Sequence, residues 1–135
     1  MKKILIALFL LLSLNFYSQE LTCEDFKIGT FLIKIDTEKE PYRITRYENY
    51  QVEFVKKNDN ENIEFTNSVE WIDDCTYRLK YDEKKMSLNA FQKSINENNG
   101  VLVKMRKIKG KYLYFDSFIP VDGKIIKVSG KICKS

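Results

Sequence analysis

The sequence predicts an all-β domain: a small antiparallel up-and-down barrel or a strongly curled sheet. Three observations carry that reading. Cys75, Tyr77, Leu79 and Tyr81 repeat with period two while Thr76, Arg78 and Lys80 take the other parity, the pattern of a strand with one buried face. Short runs of this kind recur along the chain, separated by clusters of turn-forming residues at short intervals. Helical spacing is confined to one segment near 87–97.

The chain opens as an export signal. Lys2 and Lys3 precede the apolar run Ile4 to Leu14, and Asn15 to Gln19 lead into charged sequence, so residues 1–18 read as a signal peptide and 19–135 as a single β domain. The run is too short to span a bilayer and no stop-transfer pattern follows. The expected location is secreted or periplasmic, with no transmembrane segment after processing. Thr22 and Glu20 argue against a lipid anchor at Cys23. Removing residues 1–18 leaves 117 of 135 residues and lowers the net charge from +4 to +2, because only Lys2 and Lys3 leave. A chain of that length buries a core of its own. With lysines mixed among nearly as many acids it lacks the basic footprint of a nucleic-acid binder, so no nucleic-acid partner is expected.

In chain order, Phe26 and Ile28 lead through Gly29, a place for a bend, into a strand with Phe31, Ile33 and Ile35. Asp36 to Pro41 connects to a strand with Tyr42, Ile44 and Arg46. From Tyr50 to Lys56, Val52 and Phe54 face one way and Gln51, Glu53 and Val55 the other. The central hairpin follows: Ile63, Phe65, Val69 and Trp71 share a parity that Asn67 interrupts, as a bulge or an inner polar site. Asp73-Asp74 makes the turn, its side chains bonding nearby amides; two adjacent carboxylates supply too few ligands for calcium.

Between Tyr81 and Gly100, Leu88, Phe91 and Ile95 predict one short helix near 87–97 with Ser87 as cap, or else an irregular edge strand over 84–91; Asn96, Asn98 and Asn99 read as a polar loop. Val101, Val103 and Met105 begin the next strand, Gly110 turns the chain, and Tyr112 and Tyr114 alternate with Leu113 and Phe115 in a strand apolar on both sides. Asp122-Gly123 turns into the last strand, with Ile126, Val128 and Ile132. Seven to nine short strands suit a barrel or sandwich.

Three cysteines survive processing in an oxidising compartment, so at least one is free or bonded to another chain. Closure of the sheet would bring Cys23 near Cys133, whereas the amino-terminal tail could equally reach Cys75. Cys23 to Cys75 is preferred, leaving Cys133 as a free or intermolecular thiol.

Cys23-x-x-Phe26-x-x-Gly29-x-Phe31, Ile44-x-Arg46, Gln51-x-Glu53 and Trp71-x-x-x-Cys75-x-Tyr77-x-Leu79 resemble a group of small exported bacterial proteins of unknown function, some of them labelled DNA topoisomerase. The pattern implies a fold rather than a chemistry, and one small exported domain does not suit that label. Gly29-x-Phe31 is also similar to the Gly-x-Trp entry of lipocalin-like barrels, which implies an up-and-down meander that is either hollow or filled by its own side chains.

The chain contains no histidine, which removes serine- and cysteine-histidine catalysis and histidine-based metal centres. No catalytic residue, metal site or cofactor is expected, and glycosidase-like carboxylate pairs arise by chance in such a composition. Trp71, Tyr77, Tyr81, Tyr112, Tyr114 and Arg46 are the candidate ligand-binding residues. Arg46 pairs either with Glu53 or with an acidic ligand. The reading that results is an exported, non-enzymatic binding module for a small apolar or amphipathic molecule. The alternative is a structural or protein-interaction domain with a filled core and an exported protein partner.

Overall fold

The structure, a computed structural model, describes residues 19–58 and 61–135; the proposed signal peptide lies outside the described residues. Eight antiparallel strands form a closed barrel in sequence order: β1 (Gly29–Ile35), β2 (Tyr42–Arg46), β3 (Tyr50–Asn58), β4 (Glu61–Asp73), β5 (Thr76–Tyr81), β6 (Val101–Lys109), β7 (Tyr112–Val121) and β8 (Lys124–Lys134). The first and last strands close it, running from Phe31 opposite Lys134 to Ile35 opposite Gly130. Closure leaves no unpaired edge to template another chain. Among the described residues no helix is long and apolar enough to cross a membrane.

Alternation decides which side chains fill the interior. Phe31 and Ile33 of β1, Ile44 of β2, Val69 of β4, Tyr77 of β5, Val103 and Met105 of β6, Leu113 and Phe115 of β7 and Ile132 of β8 form one buried cluster, capped by Phe26. Two glycines allow close approaches. Gly29 has φ +138°, and Phe31 lies against the space its side chain would fill. At Gly130 a Cβ would stand 2.6 Å from the Lys34 carbonyl oxygen and 2.9 Å from the Phe115 ring, so this position lets β8 lie against β1 with Phe115 across it.

One barrel end is sealed by the amino-terminal segment. A 3-10 turn, Cys23–Phe26, puts Phe26 at 0% exposure against Phe31, their ring centroids 5.9 Å apart. The turn is tied down by the Cys23–Cys75 disulfide. Cys133 is free and half-buried. Cys75 follows the expected carboxylate turn, in which the Cys75 N–H donates to Asp73 Oδ1 at 2.9 Å. The other end carries the β1–β2 and β7–β8 connections and the long excursion between β5 and β6.

That excursion contains the helix α1 (Ala90–Glu97), later than the Ser87 start the spacing predicts. Asn89 is the cap: its side chain accepts from the Gln92 N–H at 2.9 Å and its own N–H donates to Gln92 Oε1 at 3.0 Å. Phe91, expected on the apolar face, is 53% exposed, while Gln92 and Ile95 are buried. Asn96, read as loop, lies in the helix and bridges to β5, accepting from the Tyr81 N–H and donating to the Tyr81 carbonyl, both at 2.9 Å. Gly100 ends the excursion at φ +74°, where a Cβ would come within 2.2 Å of the Leu79 carbonyl oxygen.

Candidate functional site

The site is built on an inversion of the usual pattern in β3. Register pairs Arg46 with Gln51 and Ile44 with Glu53 across β2–β3, and Gln51 with Asn67 and Glu53 with Phe65 across β3–β4. Because Ile44 is buried inside the barrel, its partner Glu53 also faces inward, and so do Gln51 and Val55. Val52 and Phe54 face outward; Phe54 lies under the Arg43 guanidinium at 4.8 Å. Asn67 is the inner polar site, not a bulge, and is buried.

At the sealed end Arg46 is 1% exposed and its guanidinium bonds inside the barrel. Nε donates to Gln51 Oε1, Nη1 to the Phe26 carbonyl and Nη2 to the Tyr77 hydroxyl, each at 2.8 Å. The group also sits 4.5 Å from the Tyr77 ring centre and 5.7 and 5.9 Å from those of Phe31 and Trp71. Arg46 does pair toward Glu53, but through Gln51 rather than directly. The guanidinium, which only donates, fixes the Gln51 oxygen toward itself, so Gln51 Nε2 points at Glu53 Oε1 at 2.9 Å. Asn67 Nδ2 donates to the same oxygen at 2.8 Å.

Toward the open end the interior is hollow. A cavity of about 390 Å³ is walled by apolar side chains from most of the strands, among them Ile35, Val55, Phe65, Leu79, Val101 and Val128. Its polar groups are Glu53 and Asn67 where it meets the core, the tyrosines Tyr42 and Tyr81, and Ser117, Thr37 and Glu38. A largely apolar cavity of this size with a few convergent polar groups is the ordinary form of a small-molecule site. Both hydrogen bonds to Glu53 from described residues fall on Oε1, which leaves Oε2 for the cavity.

Burial raises the Glu53 carboxyl above the usual glutamate range, with the Gln51 hydrogen bond, the Arg46 charge and the Asn67 hydrogen bond pulling it back down. Burial, with the Glu53 charge behind it, raises the phenol of Tyr81 and pushes that of Tyr42 well above its ordinary value. Both therefore stay protonated near neutral pH, so their hydroxyls can donate.

The six candidate residues separate into three places. Tyr81 lines the cavity. Arg46, Tyr77 and Trp71 form the polar and aromatic layer beneath it at the sealed end, with Trp71 and Tyr77 ring centres 4.8 Å apart. Tyr112 and Tyr114 lie on the outer face of β7, under Lys131 and Lys107. Their neighbours Leu113 and Phe115, buried in the core, take the inward parity instead. Glu53, at the inner end of the cavity, is not among the six candidates, and neither are Tyr42 and Asn67, although the sequence pattern offers Asn67 as a bulge or an inner polar site. The available signal was the inward parity that Asn67 shares with Val69 and Trp71, which identifies by pairing the inward side of β3.

No group of three or more His, Cys, Asp or Glu residues among the described ones is placed to hold a metal ion. The eight-stranded closed meander is consistent with a lipocalin-like fold. A scan of protein-family models and searches of curated proteins and of solved structures find no match, so the resemblance to a group of small exported proteins rests on the residue pattern alone.

Proposed function

We propose that the barrel is a non-enzymatic binding module that holds a small amphipathic molecule, its apolar body along the cavity wall and its head at Glu53. The observation that carries this is the cavity itself: about 390 Å³ of mostly apolar space ending on one carboxylate with a free oxygen. The head must donate a hydrogen bond to Glu53 Oε2. Tyr42 and Tyr81 can serve as further partners for its oxygen or nitrogen. Charge balance narrows the class. With Arg46 cationic and Glu53 anionic the interior is neutral when empty, so a hydroxyl adds no net charge, an ammonium leaves one uncompensated cation, and a carboxylate meets Glu53 with like charge. The expected preference is alcohol first, amine second and fatty acid last.

Calorimetric titration with octanol, octylamine and octanoate tests both parts. Octanol binding at least about tenfold tighter than octanoate is expected, because like charge in a desolvated site costs more than about 1.4 kcal/mol. The Glu53→Gln substitution should narrow that gap, since an amide offers both donor and acceptor. Binding of octanoate equal to or tighter than octanol would overturn the head-group assignment. Failure of all three to bind, together with no displacement of a fluorescent apolar probe such as N-phenylnaphthylamine, would overturn the cavity reading and favour the filled interaction domain.

A further inference from the structure

The small net charge of the chain conceals a strong segregation. Residues 101–135 carry nine Lys and Arg against two Asp, a balance of +7, whereas residues 19–100 carry twelve against seventeen acids, a balance of −5. The fold gathers the basic part on one wall, because residues 101–135 are the consecutive strands β6, β7 and β8, whereas the acids of residues 19–100 lie mostly in the connections and the amino-terminal segment. On that wall Lys104, Arg106, Lys107, Lys109, Lys124 and Lys127 are all exposed. Asp116, the acid within the wall's strands, is already occupied by the Ser129 hydroxyl at 2.6 Å and the Arg106 guanidinium at 2.5 Å. Glu64 and Glu70 are exposed on β4, away from this wall.

The basic wall is also apolar in a particular way. Lys104 lies over Phe118 at 5.5 Å, Lys107 over Tyr114 at 5.3 Å and Lys131 over Tyr112 at 4.5 Å, so aromatic rings are interleaved with ammonium groups. Near the open end the wall holds a groove of about 320 Å³ with Leu102, Phe118, Pro120 and Ile125 along it and Arg78 and Lys104 beside them. At the β7–β8 hairpin Ile125 and Ile126 are 65% and 47% exposed, flanked by Lys124 and Lys127. Exposed branched apolar residues between lysines gain nothing from a nucleic acid, which offers phosphates and stacked bases. They suit an interface in which the ammonium groups stay at the headgroup level while apolar side chains reach the acyl boundary.

We propose that the β6–β8 wall docks on an anionic lipid bilayer, with the Ile125-Ile126 tip at the acyl boundary and the groove beside it. Strands β1–β5 carry seven Lys and Arg against five acids, so the excess of positive charge on β6–β8 sets which wall turns to the anionic surface. The Ile126 hairpin adjoins the open end, and docking would bring the cavity mouth to the membrane. A barrel with a filled interior would dock in the same way.

The test uses residues 19–135, which contain every paired strand and the disulfide, so that the apolar run of residues 4–14 does not itself bind lipid. Cosedimentation with vesicles of phosphatidylglycerol and phosphatidylcholine is compared with pure phosphatidylcholine, at low and high salt. Binding to the anionic vesicles, lost at high salt, is expected. The double substitution Lys107→Glu and Lys131→Glu should weaken it at least roughly twenty-five-fold, from about fivefold per cation near such a surface. Ile125→Asp should weaken it as well, while Glu64→Gln with Glu70→Gln leaves it unchanged. Circular dichroism checks that each variant folds. Equal binding to neutral vesicles, no binding to either, or binding in which Ile125→Asp has no effect while heparin competes fully would overturn the proposal.

Discussion

Replacing Arg46 by Met tests whether the buried relay is a structural unit. The substitution removes a guanidinium that makes three hydrogen bonds of 2.8 Å and lies against three aromatic rings. A hydrogen bond to a charged group contributes about 1.5–3 kcal/mol, but the three share one donor group and are not additive. The variant also no longer bears the cost of burying a cation, and the Met side chain fills part of the space. What remains is the exposure of unmet acceptors at the Phe26 carbonyl and Gln51 Oε1, together with Glu53 left without the cation that offsets its burial. Removal of one partner from such a buried set costs about 3–5 kcal/mol. For a domain of this size that lowers the melting temperature by roughly 10–20 °C. Urea titrations followed by far-ultraviolet circular dichroism on the parent, Arg46→Met, Glu53→Gln and the double variant give the individual costs and the coupling. Once Arg46 is gone, Glu53→Gln should be less costly, or stabilising, with a coupling on the order of 1 kcal/mol. If Arg46→Met stays within about 1 kcal/mol of the parent, or the two changes add to within about 0.5 kcal/mol, the relay carries no energy.

Two further predictions use the same titrations. Glu53 has its carboxyl raised in the folded state by burial, so the folded protein binds that proton more tightly than the unfolded chain does. Its contribution to stability is therefore complete below the ordinary glutamate pKa of about 4.3 and is lost as pH rises through the raised folded value. Glu53→Gln should flatten this part of the stability profile, and parallel profiles for parent and variant would show that Glu53 does not titrate as a buried group. The Cys23–Cys75 disulfide joins residues 52 apart, which corresponds to about 4 kcal/mol of lost unfolded-state freedom. The double Cys→Ser variant should lose stability of that order, and a loss under about 1 kcal/mol would mean that Phe26 seals the barrel without the staple.

The strands were legible because alternation, turn chemistry and spacing agree. Cys75 to Tyr81 with its carboxylate turn, Val101 to Met105 and the Gly29 entry each fall where the pattern places them. The faces were legible only where one parity is plainly apolar. In β7 both parities are apolar, and only closure onto β6 and β8 turns Tyr112 and Tyr114 outward beneath lysines. In β3 the stronger apolar pair, Val52 and Phe54, lies outside, because the partners of Gln51 and Glu53 on β2 and β4 are inward. Long-range pairing sets these orientations, and no local window contains it. The basic wall was present in the sequence but disappears in a net charge, which sums it with the acids of the connecting segments.

The inversion in β3 bears directly on which kind of protein this is. A barrel selected only to be stable and filled would place hydrocarbon at Glu53, since burying a carboxyl and a guanidinium is costly and matched apolar residues are often as stable or more so. Here the two charges occupy different layers. Arg46 is enclosed by Phe26, Gln51 and Tyr77, whereas Glu53 stands one pairing step higher and keeps an oxygen toward the hollow. The enclosed cation and its amide relay hold that carboxylate in one orientation at the inner end of an apolar cavity. Local rules of burial are broken from the enclosed Arg46 up to Glu53, where the interior changes from packed to empty, and that is where a binding site would need them broken.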